Sequence, residues 1–504
     1  MQSGDRLMSM FRVIAASVLA WAIHAHAQTL VPRVWDEHGF EGWQTRIAGQ
    51  DFTAGHFSRD EYYKAPIDNL RSYPVYYPGR EPNGYWEFLN KVGPKALVDS
   101  RPSRSQADWI EAGRRAFNEL DFAQSRHYDT EDIRKIRSPR YAQERKIEPL
   151  PNGTIAYLRW VPTERGVALS QSECAGCHLR WIPGPVAGGK PYYGPSDNMP
   201  FPSLDFELFP YGAGSYLPKG DSAATARWRG HFVPWIKDDI HERMKTMPQE
   251  EWDLWDAASN GKDMMARWDG SIYYPTKIID LIGVKDRKYF DHTATHRHRG
   301  IEDLMRYAAQ VSTADSPHFG PYDILPRSDR RVPERRPDEL WYAMALYIYS
   351  LQPPPNPNKF DQAASAGQKL FSANCVTCHP PPLYTNNKLT LAKGFQPTAR
   401  DQENPDVMLI SVGTDPGGAM LTRKGTGYYK VPSLKGVWYR GRFLHDGSLA
   451  SLEEMFDPER LRPDFQPKGW NPPGKTKRAV PGHEFGLHLT LEERRQLIAF
   501  LRTL

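Results

Sequence analysis

The chain of 504 residues has four cysteines, and they fall into two pairs of the same spacing. Cys174 and Cys177 lie in SECAGCHLRW (172–181), and Cys375 and Cys378 in ANCVTCHPPP (373–382). In both pairs the next residue is a histidine, His178 and His379. C-x-x-C-H is the attachment pattern of c-type haem: each thiol forms a thioether to a haem vinyl group, and the adjacent imidazole is directed at the iron as proximal ligand. The rival uses of paired cysteines are a thioredoxin-like C-x-x-C, a Cys₄ zinc site and two structural disulfides. None of them requires a histidine after each pair, and no third or fourth zinc ligand lies close in sequence to either. Two covalently bound haem c groups are therefore expected, attached through Cys174, Cys177, Cys375 and Cys378 and ligated by His178 and His379.

Covalent attachment suits a protein that leaves the cytoplasm, and the first residues read that way. Arg6 and Arg12 flank an apolar run from Val13 to Ile23, followed by Ala25-His26-Ala27, a small-x-small cleavage pattern. A run of that length is too short for the roughly 20 residues that span a bilayer. A cleaved signal peptide (1–27) and a periplasmic protein starting near Gln28, with no stable membrane span, are expected. The formal charge is only +5, with both signs mixed along the chain, which gives no support to a nucleic-acid partner.

Hydrophobic residues make up 39%, against 44 prolines and 39 glycines, so a loop-rich chain with a modest aliphatic core is expected. Fifteen tryptophans and 25 tyrosines supply bulk instead. After an N-terminal extension (28–165), irregular apart from a helix over 106–124, a first unit spans 166–352. It opens just before the first cysteine pair and closes on the apolar helix 337–352, with Pro337 at its start. PPPNPN (353–358) reads as a stiff linker. The second unit, 359–504, repeats the plan: a helix from Gln362 to Phe371 leads into the cysteines, and 490–504 closes it with Thr490 and Glu493 as a capping box. The expected fold is mainly α and loop-rich, with two cytochrome c-like haem domains behind an N-terminal extension.

The sixth iron position decides between electron transfer and oxidant chemistry. Candidates for the second haem are Met420, Tyr428, His445, His483 and His488. For the first they include Met199, His231, His241, His296, His298 and Met305. HTATHRHRG (292–300), with three histidines, reads as a solvated or propionate-facing segment in preference to a dedicated metal site.

Three stretches of the last unit, AGQKLFSANCVTCHPPPLYTNNKLT (366–390), YYKVPSLKGVWYRGRFLHDGSLASLEEMF (428–456) and LTLEERRQLIAFLRTL, resemble the bacterial dihaem cytochrome c peroxidase superfamily. That superfamily includes the dihaem enzyme of methylamine utilisation and the dihaem rubber oxygenase. The resemblance covers roughly 360–504; the first unit matches mainly in its C-x-x-C-H and closing helix. The long N-terminal part and the wide spacing between motifs are similar to the rubber oxygenase branch. The resemblance implies an oxidoreductase in which the second haem relays electrons to a first haem that activates peroxide or dioxygen, with a small redox protein or another donor or acceptor as partner. A non-enzymatic dihaem electron carrier and a dioxygenase cleaving an apolar substrate are the alternatives. Where the peroxidases place a ligating methionine, two residues before the lysine of K-x-P, this chain has Tyr428, as the methylamine-utilisation enzyme does. The rubber oxygenase branch uses a histidine near the C-terminus, and His483 in PGHEFG stands in a comparable place. A neutral imidazole is the better low-spin ligand, which puts His483 ahead of Tyr428. No residue matches the peroxidases' distal glutamate or glutamine of the first haem, and its catalytic residues stay unassigned.

Overall fold

The structure is a computed structural model, and it describes residues 31–46, 59–99, 104–144, 147, 149–150, 152–186, 190–195, 247–259, 264–265, 272–313, 334–422 and 425–504. Residues 1–27, expected to be a signal peptide, and the candidates Met199, His231 and His241 lie outside the described residues. Among the described residues no helix is long and apolar enough to cross a membrane.

Helices, four small sheets and long connections make up the fold. Five helices matter most for the cysteine motifs: α1 (Gln106–Glu119), α2 (Cys174–Cys177), α3 (Asp338–Ser350), α4 (Gln362–Asn374) and α5 (Leu491–Leu501). Ser105 caps α1 and Thr490 caps α5, each in a reciprocal capping box, with Asp108 and Glu493 respectively. Pro337 stands at the entrance of α3 and Asp361 caps α4. The expected helix over 106–124 stops at Glu119. Leu120 is fully buried with an extended backbone, and from there the chain bridges to Ser172 at Asp121 and passes beside the first cysteine motif.

The helices cross in two pairs built alike. Gly113 of α1 lies so close to α3 that a Cβ there would fall 1.9 Å from the Ala343 carbonyl oxygen and 2.7 Å from Tyr347 Cβ. Gly367 of α4 meets α5 in the same way, 1.9 Å from the Gln496 oxygen and 2.9 Å from Phe500 Cβ. Four residues after each glycine a phenylalanine packs on the same partner residue: Phe117 on Tyr347 at 5.6 Å, Phe371 on Phe500 at 5.1 Å. The shared signal is Ala-Gly-x-x-x-Phe, at 112–117 and 366–371. A residue without a side chain is what lets two helix backbones touch.

A sheet with no clear signal in the sequence has one strand ahead of α1 and two between α1 and the first cysteines. Strands β1 (Tyr73–Tyr76), β2 (Thr154–Thr163) and β3 (Gly166–Gln171) form an antiparallel sheet in that order, with Trp160 opposite both Tyr73 and Leu169. Most of β2 is buried, so its sequence, TIAYLRWVPT, has no period-2 alternation to announce a strand, and Pro162 argues against one. Further strands pair as β4 (Leu179–Val186) with β5 (Lys190–Pro195) and β6 (Met264–Met265) with β7 (Thr276–Lys277). In the last unit β8 (Leu389–Leu391) lies between β10 (Tyr428–Lys430) and β9 (Val407–Ser411). Separate apolar clusters follow the helix pairs: Leu340, Trp341 and Met344 of α3 pack with Ala116 and Leu120, and Leu497, Ile498 and Phe500 of α5 pack with Phe371 and Leu452.

Candidate functional site

The second cysteine motif begins where α4 ends. The amide of Cys375 still bonds to Phe371 O as in a helix, and the amides of Cys378 and His379 both turn back to Cys375 O, at 3.2 and 2.9 Å. This tight turn presents Cys375, Cys378 and His379 to one cavity of about 390 Å³, within the roughly 300–1,000 Å³ usual for cofactor sites. The lining includes apolar residues, Leu434, Val437, Leu452, Met455 and Phe456, and basic ones, Lys277, Arg287, Lys430, Arg440 and Arg442, with Asp280 as the carboxylate among the lining residues. Asp280 is engaged by Tyr439 Oη at 2.7 Å and Arg440 at 3.7 Å. Lys430 is half-buried, and desolvation with the neighbouring Arg287 pushes its ammonium down to about 7. Its Nζ donates to the carbonyls of Tyr289 and Phe290.

His379 and His483 face one another across this cavity with ring centroids 6.4 Å apart. Two imidazoles sharing one metal at about 2 Å per bond have centroids a little over 6 Å apart. His379 Nδ1 donates to Tyr384 O at 3.0 Å, which fixes the tautomer and leaves Nε2 as the nitrogen with a free lone pair. Desolvation lowers both histidines below the usual range, His483 to about 4 with His379 as second cause, so both are neutral imidazoles at pH 7. His483 Nδ1 is buried with no hydrogen-bond partner. Burial also raises Cys375, to about 11, and Cys378, so both are thiols at pH 7 in the unloaded site. Two neutral imidazoles, two thiols and a lining of apolar and basic residues match the donor set, the vinyl edge and the two propionates of a haem c.

Three of the four other second-site candidates lie elsewhere. Tyr428 sits in a neighbouring cluster with its ring edge on Phe395 at 5.2 Å, and it is not among the lining residues. Met420 packs against the same cluster, and His488 is exposed. His445 does line the cavity, stacked on Tyr429 at 4.3 Å, with Nε2 and the Tyr429 hydroxyl 3.0 Å apart.

The first motif hangs from the end of β3. The Ser172 amide bonds to Tyr157 O and the Glu173 amide to Leu120 O, and the one-turn helix α2 follows, with the His178 amide on Cys174 O at 3.1 Å. Cys174 Sγ lies 3.4 Å from Met344 Sδ of α3, and burial pushes its thiol well up. Beneath it is a buried charge network with no signature in the sequence. Arg336 reaches Asp68 at 3.1 Å and Glu173 at 3.5 Å, and donates to Asp121 O at 2.7 Å. Arg126 pairs with Asp68 and Asp121 at 2.7 and 2.8 Å. Three acids share two bases, and burial pushes Glu173 up to about 7. The residues of HTATHRHRG point three ways. His292 lines the second cavity, with Nε2 2.9 Å from Lys277 O. His296 is buried against Trp43 at 4.3 Å, with Nδ1 2.9 Å from Thr295 Oγ1 and Nε2 without a hydrogen bond. His298 has both ring nitrogens engaged, by Arg287 O and by the Tyr349 hydroxyl. Met305 is fully buried in the α3 cluster.

No family model matches the chain. A curated protein, the cytochrome c peroxidase IdrP1 of Denitromonas iodatirespirans, is 29% identical over 161 residues, which is 28% of this chain. The matched part is 40% of that protein's length. A solved chain of Kuenenia stuttgartiensis hydrazine synthase is similar over 46% of this chain and 73% of its own, with a TM-score of 0.28 and 16% identity, a likeness too slight to carry an argument.

Proposed function

We propose that the chain is an exported dihaem c-type cytochrome oxidoreductase. In this reading haem c groups attach at Cys174 and Cys177 with His178 and at Cys375 and Cys378 with His379, and His483 is the distal ligand of the second. The observation that carries the reading is the facing pair His379 and His483, 6.4 Å apart across a cavity that also holds Cys375 and Cys378. The partial match to a protein named a cytochrome c peroxidase supports the reaction class.

Bound at these sites, haem iron supplies one-electron chemistry, and at an open position peroxide or dioxygen chemistry. The residues do the rest. His379, oriented by Tyr384 O, and His483 would both ligate the iron at the second site, which suits electron relay. Leu434, Val437 and Phe456 would shield the group from water, and the lysines and arginines of the lining would neutralise its carboxylates. Tyr428 is the alternative ligand, and its place in the Phe395 cluster favours His483. At the first site His178 holds the group that would react with peroxide or dioxygen, with electrons delivered by a small redox protein through the second site.

The test is EPR of the haem-loaded oxidised protein, followed by stopped-flow mixing of the oxidised and half-reduced forms with hydrogen peroxide and with dioxygen. One low-spin and one high-spin ferric signal are expected, with a Soret shift confined to the haem at His178. Two low-spin haems inert to both oxidants in every redox state would make the protein an electron carrier instead.

A further inference from the structure

His483 does not sit on a helix or a strand. It lies in a loop with φ of +49°, a left-handed conformation that an L-residue holds only where its surroundings impose it. The preceding Gly482 is also left-handed, at +84°, and presses so closely on the 413–414 backbone that a Cβ there would fall 2.2 Å from Thr414 N. The His483 amide donates to Val412 O at 2.6 Å, which pins one side of the loop.

The other side is held by Arg460. Its side chain is fully buried, and its guanidinium donates to four main-chain carbonyls: Met455, Val480, Gly482 and His483. The bonds to Gly482 and His483 come from one nitrogen, Nη2, at 2.8 and 2.9 Å. In return the Val480 amide donates to Arg460 O at 2.7 Å. A planar fork of five donors is the side chain able to satisfy several carbonyls at once; an ammonium offers three donors from a single point.

We infer that Arg460 is the positioning residue of the second site, fixing the 480–483 loop so that the His483 imidazole stands opposite His379. The inference rests on the reading of His483 as distal ligand. A bond to both carbonyls flanking the Gly482–His483 step stops the peptide from rotating toward ordinary right-handed geometry, which would swing the imidazole out of the cavity. Burying a guanidinium among carbonyls is costly in a loop whose sole duty is to cover a surface. It is explained where a ring must be held to a fraction of an ångström.

The experiment compares haem-loaded full-length Arg460→Gln, Arg460→Lys and His483→Ala by EPR, Soret absorption and titration with free imidazole. Far-UV circular dichroism serves as the folding control. His483→Ala should convert the second haem from low to high spin and open it to imidazole. Arg460→Gln should keep both haems and its helix content while losing at least half of the second low-spin signal, and it should bind imidazole at least tenfold faster than the unaltered protein. Arg460→Lys should fall between the two. If Arg460→Gln does not fold, Gly482→Ala displaces the same loop with Arg460 intact, and the same spectral loss is expected. A full low-spin signal with unaltered imidazole kinetics in the folded Arg460 variants, beside a high-spin His483→Ala, overturns the positioning role alone. A His483→Ala protein that stays low spin overturns the ligand assignment, and the positioning role with it.

Discussion

The two cysteine motifs stand beside helix pairs of one design, yet their surroundings differ. In the second, α4 runs directly into Cys375 and the site is assembled mostly from residues after it. In the first, α1 ends at Glu119 and the cysteines come only at 174, after a stretch that contributes two strands of a sheet. The second motif opens on a cavity with basic residues in its lining, and the first rests on buried Asp68, Asp121 and Glu173 with Arg126 and Arg336. The same helix crossing thus supports, in one half, a site lined mostly by residues that follow its motif and completed by residues 277–292 of the first unit. In the other half the site borrows its foundation from the N-terminal part, through Asp68, Asp121 and Arg126. Two strands of that sheet, β2 and β3, lie between α1 and the first cysteines, while β1 precedes α1.

Removing the foundation should have the largest effect. Arg336→Met leaves Glu173 buried without its cation while Asp68 keeps Arg126, a loss of about 3–5 kcal/mol for a broken buried pair. On the proposed dihaem reading, urea unfolding of the haem-loaded protein should show this loss, with the spectrum of the first haem perturbed at denaturant concentrations that leave that of the second intact. Equal perturbation of both would mean that the network serves the whole molecule and not the first motif.

The equivalence of the two crossings is tested by Gly113→Ala and Gly367→Ala. Each places a methyl inside van der Waals contact with a carbonyl oxygen of the facing helix, an overpacking cost of about 1–3 kcal/mol. Thermal unfolding should give comparable losses, with the spectral change at the first haem for Gly113→Ala and at the second for Gly367→Ala. A silent Gly113→Ala would break the correspondence between the halves.

Much of this was legible in the sequence, for local reasons. C-x-x-C-H spacing, the Ser105 and Thr490 capping signals and the apolar periodicity of the helices all act over a few residues. His483 was legible as a candidate because few imidazoles follow the second motif. The sheet was not, since a strand buried on both faces loses the alternation that marks it. The Ala-Gly-x-x-x-Phe repeat is present in the sequence, but its meaning appears only when the facing helices, which start far away at 338 and 491, are in place. Arg460 and the Arg336 network carry no signature because their partners are main-chain carbonyls or acids far off in the chain.

A milder comparison uses the caps. Ser105→Ala and Asp361→Ala each remove a side-chain acceptor from the first turn of the first helix of its pair, worth about 1 kcal/mol apiece. Differential scanning calorimetry should show similar decreases in Tm. A much smaller loss for Ser105→Ala would indicate that the sheet, and not α1, sets the stability of the first half.

The smallest expected effect concerns charge beneath the first motif. Glu173 is held with its carboxyl up near 7, against an ordinary value of 4.5, chiefly by burial, with Arg336 opposing and Asp121 adding to the shift. A carboxyl raised on folding contributes stability that is fully present below its unfolded value and is lost as pH rises through the folded one. The window for Glu173 therefore runs from about 4.5 to about 7. Glu173→Gln removes this titration while leaving Arg336 paired to Asp68, so the two consequences partly offset each other. Relative to the unaltered protein, the variant should be less stable at pH 5, where the neutral acid already fits its site, and should recover toward equality by pH 8. The change in relative Tm should be on the order of a few degrees. The second haem, remote from this group and facing a basic lining, should show no pH-dependent difference between the two proteins. A relative Tm that does not change between pH 5 and 8 would mean that Arg336 keeps Glu173 ionised throughout. In that case the first motif rests on a fully charged network and not on one that shares a proton.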